Sequence, residues 1–333
     1  MKRAGILFLT ALLLLSCTSC GRGTHTKSFF LMDTAITVTL YTQDAARAEE
    51  IFATCRKMLG EYDALWSPTS PDSDVSKWNC TADGAEALDA RTLTLLQTAL
   101  EVSQVTEGAF DVTVAPLVAL WSACEARGSL PTEAELEAAL ALVGSHHLAL
   151  SDTALSKGNR DVRIDLGGIG KGAAIDSLID YLSTCGVEGG LVSFGSNVAV
   201  FGKKPDGKAF RIALRDPKDA GGRVGTLTLE AGEVLSVSGD YERFVTVDGK
   251  RYHHLLDPAT GYPAENGLAS VAVITSDGAL ADALSTALFI MGRERAMAFY
   301  ESGKYAFEAV LIGHDGVITV TDGFTDRFMA DQP

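Results

Sequence analysis

Val162-Arg163-Ile164-Asp165-Leu166-Gly167-Gly168-Ile169-Gly170-Lys171-Gly172 is the stretch on which the fold turns. Val162 to Leu166 reads as a short strand that enters a glycine-rich turn, and a helix leaves the turn and runs to about Cys185. Consecutive glycine amides ahead of a helix N-terminus make an anion site. The turn is not a Walker A loop: that motif needs glycine five residues before its Gly-Lys pair and Ser or Thr after it, where this chain has Asp165 and Gly172. Gly168, Gly170 and Ala173 fit the looser dinucleotide fingerprint, but no acid ends the next strand, where Ser193 and Phe194 stand. Glycines that pack a helix against a sheet would explain the turn alone. They would not explain Lys171 beside Asp165.

Outward from the turn, strand and helix signals mix. Ala35 to Tyr41 alternates as a half-buried strand, and Asp44 then opens a helix with Ile51, Phe52, Cys55, Met58, Leu59 and Tyr62 on one face. Ser67 to Asp83 reads as a long loop, followed by a helix from about Asp89 to Glu107 that Gly108 stops. Thr132 and Glu135 form a capping box for a helix running to Val143. The last third is mostly strands, with hairpin turns at Asp248-Gly249 and Asp315-Gly316, and Ser270 to Thr275 feeds a helix from about Gly278 to Met291. There is no internal repeat and no low-complexity linker. The expectation is a single α+β domain of mixed sheets with packed helices, over residues 29–333.

Met1, Lys2 and Arg3 precede an apolar run from Ile6 to Leu15, too short to span a bilayer as a mature helix. Residues 1–16 therefore read as a signal peptide. Leu14-Leu15-Ser16-Cys17 resembles a bacterial lipoprotein processing site, which makes Cys17 the lipidated residue and 17–28 a linker. That predicts an exported protein, lipid-anchored to the outer face of the cytoplasmic membrane or in the periplasm. The net charge of −15 argues against nucleic acid or acidic lipid as a partner, and an anionic substrate would need a cation. Cys55, Cys80, Cys124 and Cys185 lack CxxC spacing, so neither a zinc site nor an assigned disulfide follows.

Asp282 and Thr286 are spaced i, i+4 on a helix otherwise made of Ala, Leu and Phe, so both oxygens face one side. Carboxylate plus hydroxyl is a hard-oxygen pair suited to Mg²⁺ or Ca²⁺, although such a pair also serves as a cap or a buried hydrogen bond. His253 and His254 point opposite ways on an extended strand, so at most one reaches a site, and Asp257-Pro258 also fits a plain turn.

The series Met32-Asp33-Thr34, Gly108-Ala109-Phe110-Asp111-Val112-Thr113 with Pro116-Leu117 and Leu120-Trp121, Ile164 to Gly172, Ser238-Gly239-Asp240-Tyr241, His254-Leu255-Leu256-Asp257-Pro258 through Pro263, and Asp282-Ala283-Leu284-Ser285-Thr286-Ala287 resembles the ApbE family of FAD:protein FMN transferases. The six motifs span nearly the whole mature chain. The resemblance implies Mg²⁺, with Ca²⁺ or Mn²⁺ as substitutes, held by Asp282, Thr286, the Gly168 carbonyl and a nearby Ser285. It implies that Met32, Trp78 (or Asn79), Ala109, Phe110, Asp111, Asp165, Lys171, His254 and Leu255 line a pocket for FAD, the substrate. Lys171 would stabilise the diphosphate, and His254 or Asp257 would take the proton of an acceptor threonine. The acceptors implied are flavin-carrying subunits of membrane redox pumps or exported reductases. Two alternatives stay open at this stage, an FAD pyrophosphatase yielding FMN and AMP, and a non-catalytic flavin-binding lipoprotein.

Overall fold

The computed structural model describes residues 23–81 and 86–331. The expected leader 1–16 and Cys17 lie outside them. β1 (Thr24–Leu31) and β2 (Thr34–Tyr41) form an antiparallel pair, and β1 starts inside the segment expected as a linker. Thr26 meets Thr39 and Ser28 meets Thr37 across this pair, hydroxyl to hydroxyl at 3.0 Å each. β2 sets Ile36, Val38 and Leu40 between its polar positions, whereas β1 has polar residues from Thr24 to Ser28 and so gives no apolar alternation there.

Asp44 accepts from the Arg47 amide and caps α1 (Ala45–Trp66), which buries Ile51, Phe52, Cys55, Leu59 and Tyr62 as their spacing predicts. The stretch read as loop contains α2 (Asp74–Cys80), capped by Ser73, with only Val75 and Trp78 buried. Two apolar positions are too few for periodicity to register. β3 (Glu86–Ala87), α3 (Ala90–Val105), α4 (Ala115–Arg127), α5 (Glu133–Leu140), β4 (Leu148–Leu150) and β5 (Ala154–Lys157) follow. α3 carries its Asp89 cap and α5 its capping box, but α5 ends at Leu140 rather than Val143. α4 had no expectation attached; it buries Leu117 and Trp121 while Val118, between them, is exposed.

Val162 to Leu166 is not a strand. Ile164 instead pairs its amide and its carbonyl with the two ends of the Asn79 side-chain amide, at 2.8 and 2.9 Å, and the Asp165 amide donates to the Val112 carbonyl at 2.8 Å. A side chain stands where a ladder neighbour would. α6 (Gly170–Thr184) then leaves the turn, followed by β6 (Gly189–Phe194), β7 (Asn197–Gly202), β8 (Phe210–Arg215), β9 (Arg223–Leu229) and β10 (Val234–Gly239). β11 (Phe244–Val247) and β12 (Lys250–His253) flank the Asp248-Gly249 turn as expected. β13 (Leu268–Thr275) feeds α7 (Gly278–Glu301), whose path breaks at Gly292, held at φ 75° and ψ 169°. β14 (Glu308–Gly313), β15 (Ile318–Val320) and β16 (Phe328–Ala330) complete the chain.

Eight strands form one sheet in the order β1-β2-β6-β7-β10-β13-β14-β15. All eight residues of β13 are buried, because both faces of this strand are covered. Val271 and Val273 face the main core with α1, α3, α6 and α7, while Ala272 and Ile274 face the small sheet β16-β9-β8. A side pocket of core, built on Leu117, Trp121, Ala139 and Leu256, ties α4 and α5 to the β11–β12 hairpin. The α+β expectation therefore holds, as helix, sheet and small sheet in layers. Cys55, Cys80, Cys124 and Cys185 are free, and burial, with Cys185 nearby, pushes the Cys55 thiol up to about 12. Among the described residues no helix is long and apolar enough to cross a membrane.

Candidate functional site

The glycine turn and the start of α7 meet at one end of a cavity of about 860 Å³. Asp165 orders the turn by accepting from the Gly167 amide at 2.6 Å, and Lys171 reaches back to donate to the Gly167 carbonyl at 2.9 Å. A Cβ built at Gly168 would stand 3.7 Å from Thr286 Oγ1 and 3.2 Å from the Phe110 ring, so the backbone passes close by both. A side chain there would press on the Phe110 ring, so glycine fits this segment without displacing its neighbours.

Asp282 is 4% exposed and tightly placed. Its Oδ2 accepts from the Gly172 amide at 3.0 Å, its Oδ1 from the Ser236 hydroxyl at 3.2 Å, and Lys171 Nζ lies 3.8 Å from Oδ1. Thr286, one turn on, also lines the cavity, with Oγ1 3.4 Å from Ser238 Oγ. Ser285, expected beside them, does not line the cavity. One residue step turns a helix by about 100°, and the Ser285 hydroxyl points to the sheet, contacting Ser238 at 2.8 Å and donating to the Asp282 carbonyl at 2.9 Å. The donors that α7 turns toward the cavity are thus one carboxylate and one hydroxyl, with the glycine-turn backbone nearby. These are hard oxygens, a set that fits Mg²⁺, Ca²⁺ or Mn²⁺ better than a softer metal. The described residues contain no group of three or more His, Cys, Asp or Glu placed to hold a metal.

Met32, Ala109, Phe110, Asp111, Asp165, Lys171, His254 and Leu255 all line the cavity. Asp111 spends its carboxylate on the Thr113 amide and hydroxyl at 2.8 and 2.6 Å and on the Ser145 amide at 2.8 Å, so it shapes the wall. Two expected residues lie elsewhere. Trp78 is fully buried on the inner face of α2, donating from Nε1 to the Leu155 carbonyl at 2.8 Å. Asp257 does not line the cavity; its carboxylate accepts from the Ala259 amide at 2.9 Å, and its backbone amide donates to the Tyr262 carbonyl, so it builds the 257–262 turn. A short Asx turn serves its carboxylate better than a base role would.

His254 is open to the cavity and its Nδ1 sits 3.1 Å from the Arg243 carbonyl. A carbonyl only accepts, so Nδ1 carries the proton and Nε2 keeps its lone pair. Although the residue is exposed to the cavity, desolvation by the protein around it lowers its pKa to about 4. His253 points the other way, edge-on to Phe289, as the strand geometry requires. Residues missed from the sequence form the facing wall. Arg215 stacks 5.1 Å over the Tyr241 ring, and Glu242 joins them, its carboxyl raised by burial and opposed first by Lys171. Tyr241 stood in a quoted motif, whereas Arg215 on β8 carries no local signal.

The chain matches the ApbE family over residues 32–311, which contain every cavity-lining residue named above. It belongs to that family. The FAD:protein FMN transferase of Vibrio cholerae is 36% identical over 263 residues, covering 78% of this chain and 79% of that one. The Haemophilus influenzae protein of the same name is 30% identical over 319 residues, covering 93% and 89%. Among solved structures, the ApbE protein of Thermotoga maritima superposes with a TM-score of 0.83 at 30% identity, covering 91% of this chain and 99% of that one. Apo flavinyl transferase ApbE of Pseudomonas stutzeri gives 0.79 at 32% identity, covering 93% and 98%. ApbE-family architecture accounts for the layered α+β fold.

Proposed function

We propose that this chain is an FAD:protein FMN transferase that moves the FMN half of FAD onto a threonine hydroxyl of an acceptor protein and releases AMP. The observation that carries this reading is the meeting of the Asp282–Thr286 face with the Lys171-bearing turn inside one cavity large enough for a dinucleotide. The names of the relatives point the same way.

Mg²⁺, or Ca²⁺ or Mn²⁺ in its place, would be held by the Asp282 and Thr286 side chains and the Gly168 carbonyl, and when bound would neutralise diphosphate charge. The remaining roles fall to the chain. Lys171, held between the Gly167 carbonyl and Asp282, places a positive charge beside the diphosphate on a protein of net charge −15. His254 Nε2, unprotonated and open to the cavity, accepts the proton of the attacking threonine hydroxyl. A bond forms between that oxygen and the phosphorus on the FMN side, the bridging bond to the AMP phosphate breaks, and AMP leaves with the electron pair. Subunits of membrane redox pumps and exported reductases are the acceptor class we favour. Export and lipid anchoring through Cys17 belong to the same reading, and both rest on residues outside those described.

Incubating the protein with FAD, Mg²⁺ and a candidate acceptor tests this. Mass spectrometry should find one added FMN on an acceptor threonine, with AMP in equal amount. Free FMN and AMP without flavinylated acceptor would instead make the protein a pyrophosphatase, and bound FAD with no AMP would make it a carrier.

A further inference from the structure

The first turns of α6 and α7 hold each other through two carboxylates that cross in opposite directions. Asp282 on α7 accepts from the Gly172 amide in the first turn of α6 at 3.0 Å. Asp176 on α6 accepts from the Gly278 amide at 2.7 Å and the Ala279 amide at 3.0 Å, the first two residues of α7. Between the two crossings the backbones touch: a Cβ at Gly172 would lie 1.9 Å from the Gly278 carbonyl oxygen. α7 already has an N-cap of its own, since Asp277 accepts from the Leu280 amide at 2.8 Å. Asp176 is thus not needed merely to end the helix. It ties that end to the helix leaving the glycine turn.

Asp282 and Thr286 sit one and two turns beyond the amides that Asp176 holds, on the same rigid helix. Rotation or translation of α7 against α6 would move both side chains relative to Gly168 and Lys171. We propose that Asp176 is a positioning residue for the cation and diphosphate site, setting the distance between the Asp282–Thr286 face and the glycine turn without touching either ligand. This rests on the function proposed above.

The test is direct Mn²⁺ binding to the full chain, followed by the electron paramagnetic resonance of free Mn²⁺, alongside the Mg²⁺ concentration giving half-maximal FMN transfer. Asp176→Asn keeps the shape of the side chain but turns an NH₂ toward an N–H. It should weaken Mn²⁺ binding about tenfold or more and raise the half-maximal Mg²⁺ by the same factor, while transfer at saturating Mg²⁺ stays within about threefold. Asp277→Ala removes an exposed cap from the same helix, so it should lower the melting temperature and leave Mn²⁺ affinity unchanged. Equal weakening in both variants would mean that capping alone matters, and overturns the proposal. Wild-type Mn²⁺ affinity in Asp176→Asn, with binding lost in Asp282→Ala, overturns it too, yet leaves the cation site standing. No Mn²⁺ binding by the wild-type protein overturns both. Should Asp176→Asn not fold, Asp176→Glu, which keeps the charge but displaces the amides, is held to the same outcomes.

Discussion

Asp282 serves a backbone amide and a serine hydroxyl and still borders the cavity, so its loss removes the proposed cation ligand without emptying the core. Asp282→Ala is expected to lower FMN transfer about 100-fold or more, with the far-ultraviolet circular dichroism unchanged and a stability loss of about 1–2 kcal/mol from the unpaired amide. At His254 the pKa of about 4 predicts where activity fails with acid. The acid limb of kcat/KM, which reports the free enzyme, should lie near pH 4 to 5, and a limb at 6 to 7 would assign the proton to another group. Trp78→Phe gives the opposite profile: flavin affinity within twofold of wild type and a stability loss of about 1–3 kcal/mol, because the bond to the Leu155 carbonyl, part of the packing of a fully buried indole and its contact with Lys157 go together. Sequence spacing found Asp282 and Thr286 because helix periodicity fixes which side chains share a face. It could not show that Ser285, one step along the helix, turns to the sheet, or that Asp257, three residues past His254, is taken up by the 257–262 turn.

At the scale of elements, most helices and strands were legible where caps or apolar periods marked them: Asp44, Asp89 and the Thr132–Glu135 box all cap as read. β1, α2 and α4 were not, being polar-paired, short, or apolar on more than one side. The segment before the glycine turn reads as a strand and is held by Asn79, a contact 85 residues away that no local pattern encodes. Where α6 meets α7, Gly172→Ala would force the backbones apart and should cost about 1–3 kcal/mol along with much of the flavin affinity, measured by thermal melts and titration. Asp176 adds a pH signature. Burial raises its carboxyl to about 7, the Gly278 and Ala279 amides oppose this, and Asp277 and Asp180 add to it. A folded pKa above the unfolded one favours the protonated form, so this contribution is full below about pH 4 and is lost as pH rises through about 7. The melting temperature of the wild type relative to Asp176→Asn should therefore fall between pH 4 and 7.5.

For the whole molecule, fold class followed from the mixture of signals, whereas the order of the eight strands did not, because the pairings β2–β6, β7–β10 and β10–β13 join strands that are not neighbours in the chain. β1 begins at Thr24, so a lipid on Cys17 would hold the domain by a tether of roughly 25 Å at full stretch. Cys17→Ser should move the protein from the membrane fraction to the soluble one while transfer in detergent-free buffer persists; continued membrane recovery would remove the lipid anchor. The cavity wall is collected from Met32 at one extreme and Ile290 at the other. A nascent chain, or one threading through a translocation channel, has no partial version of this chamber to offer. Any dinucleotide that fills the chamber can therefore bind only after the chain has folded from end to end, so FAD is expected to bind the folded protein and not its fragments.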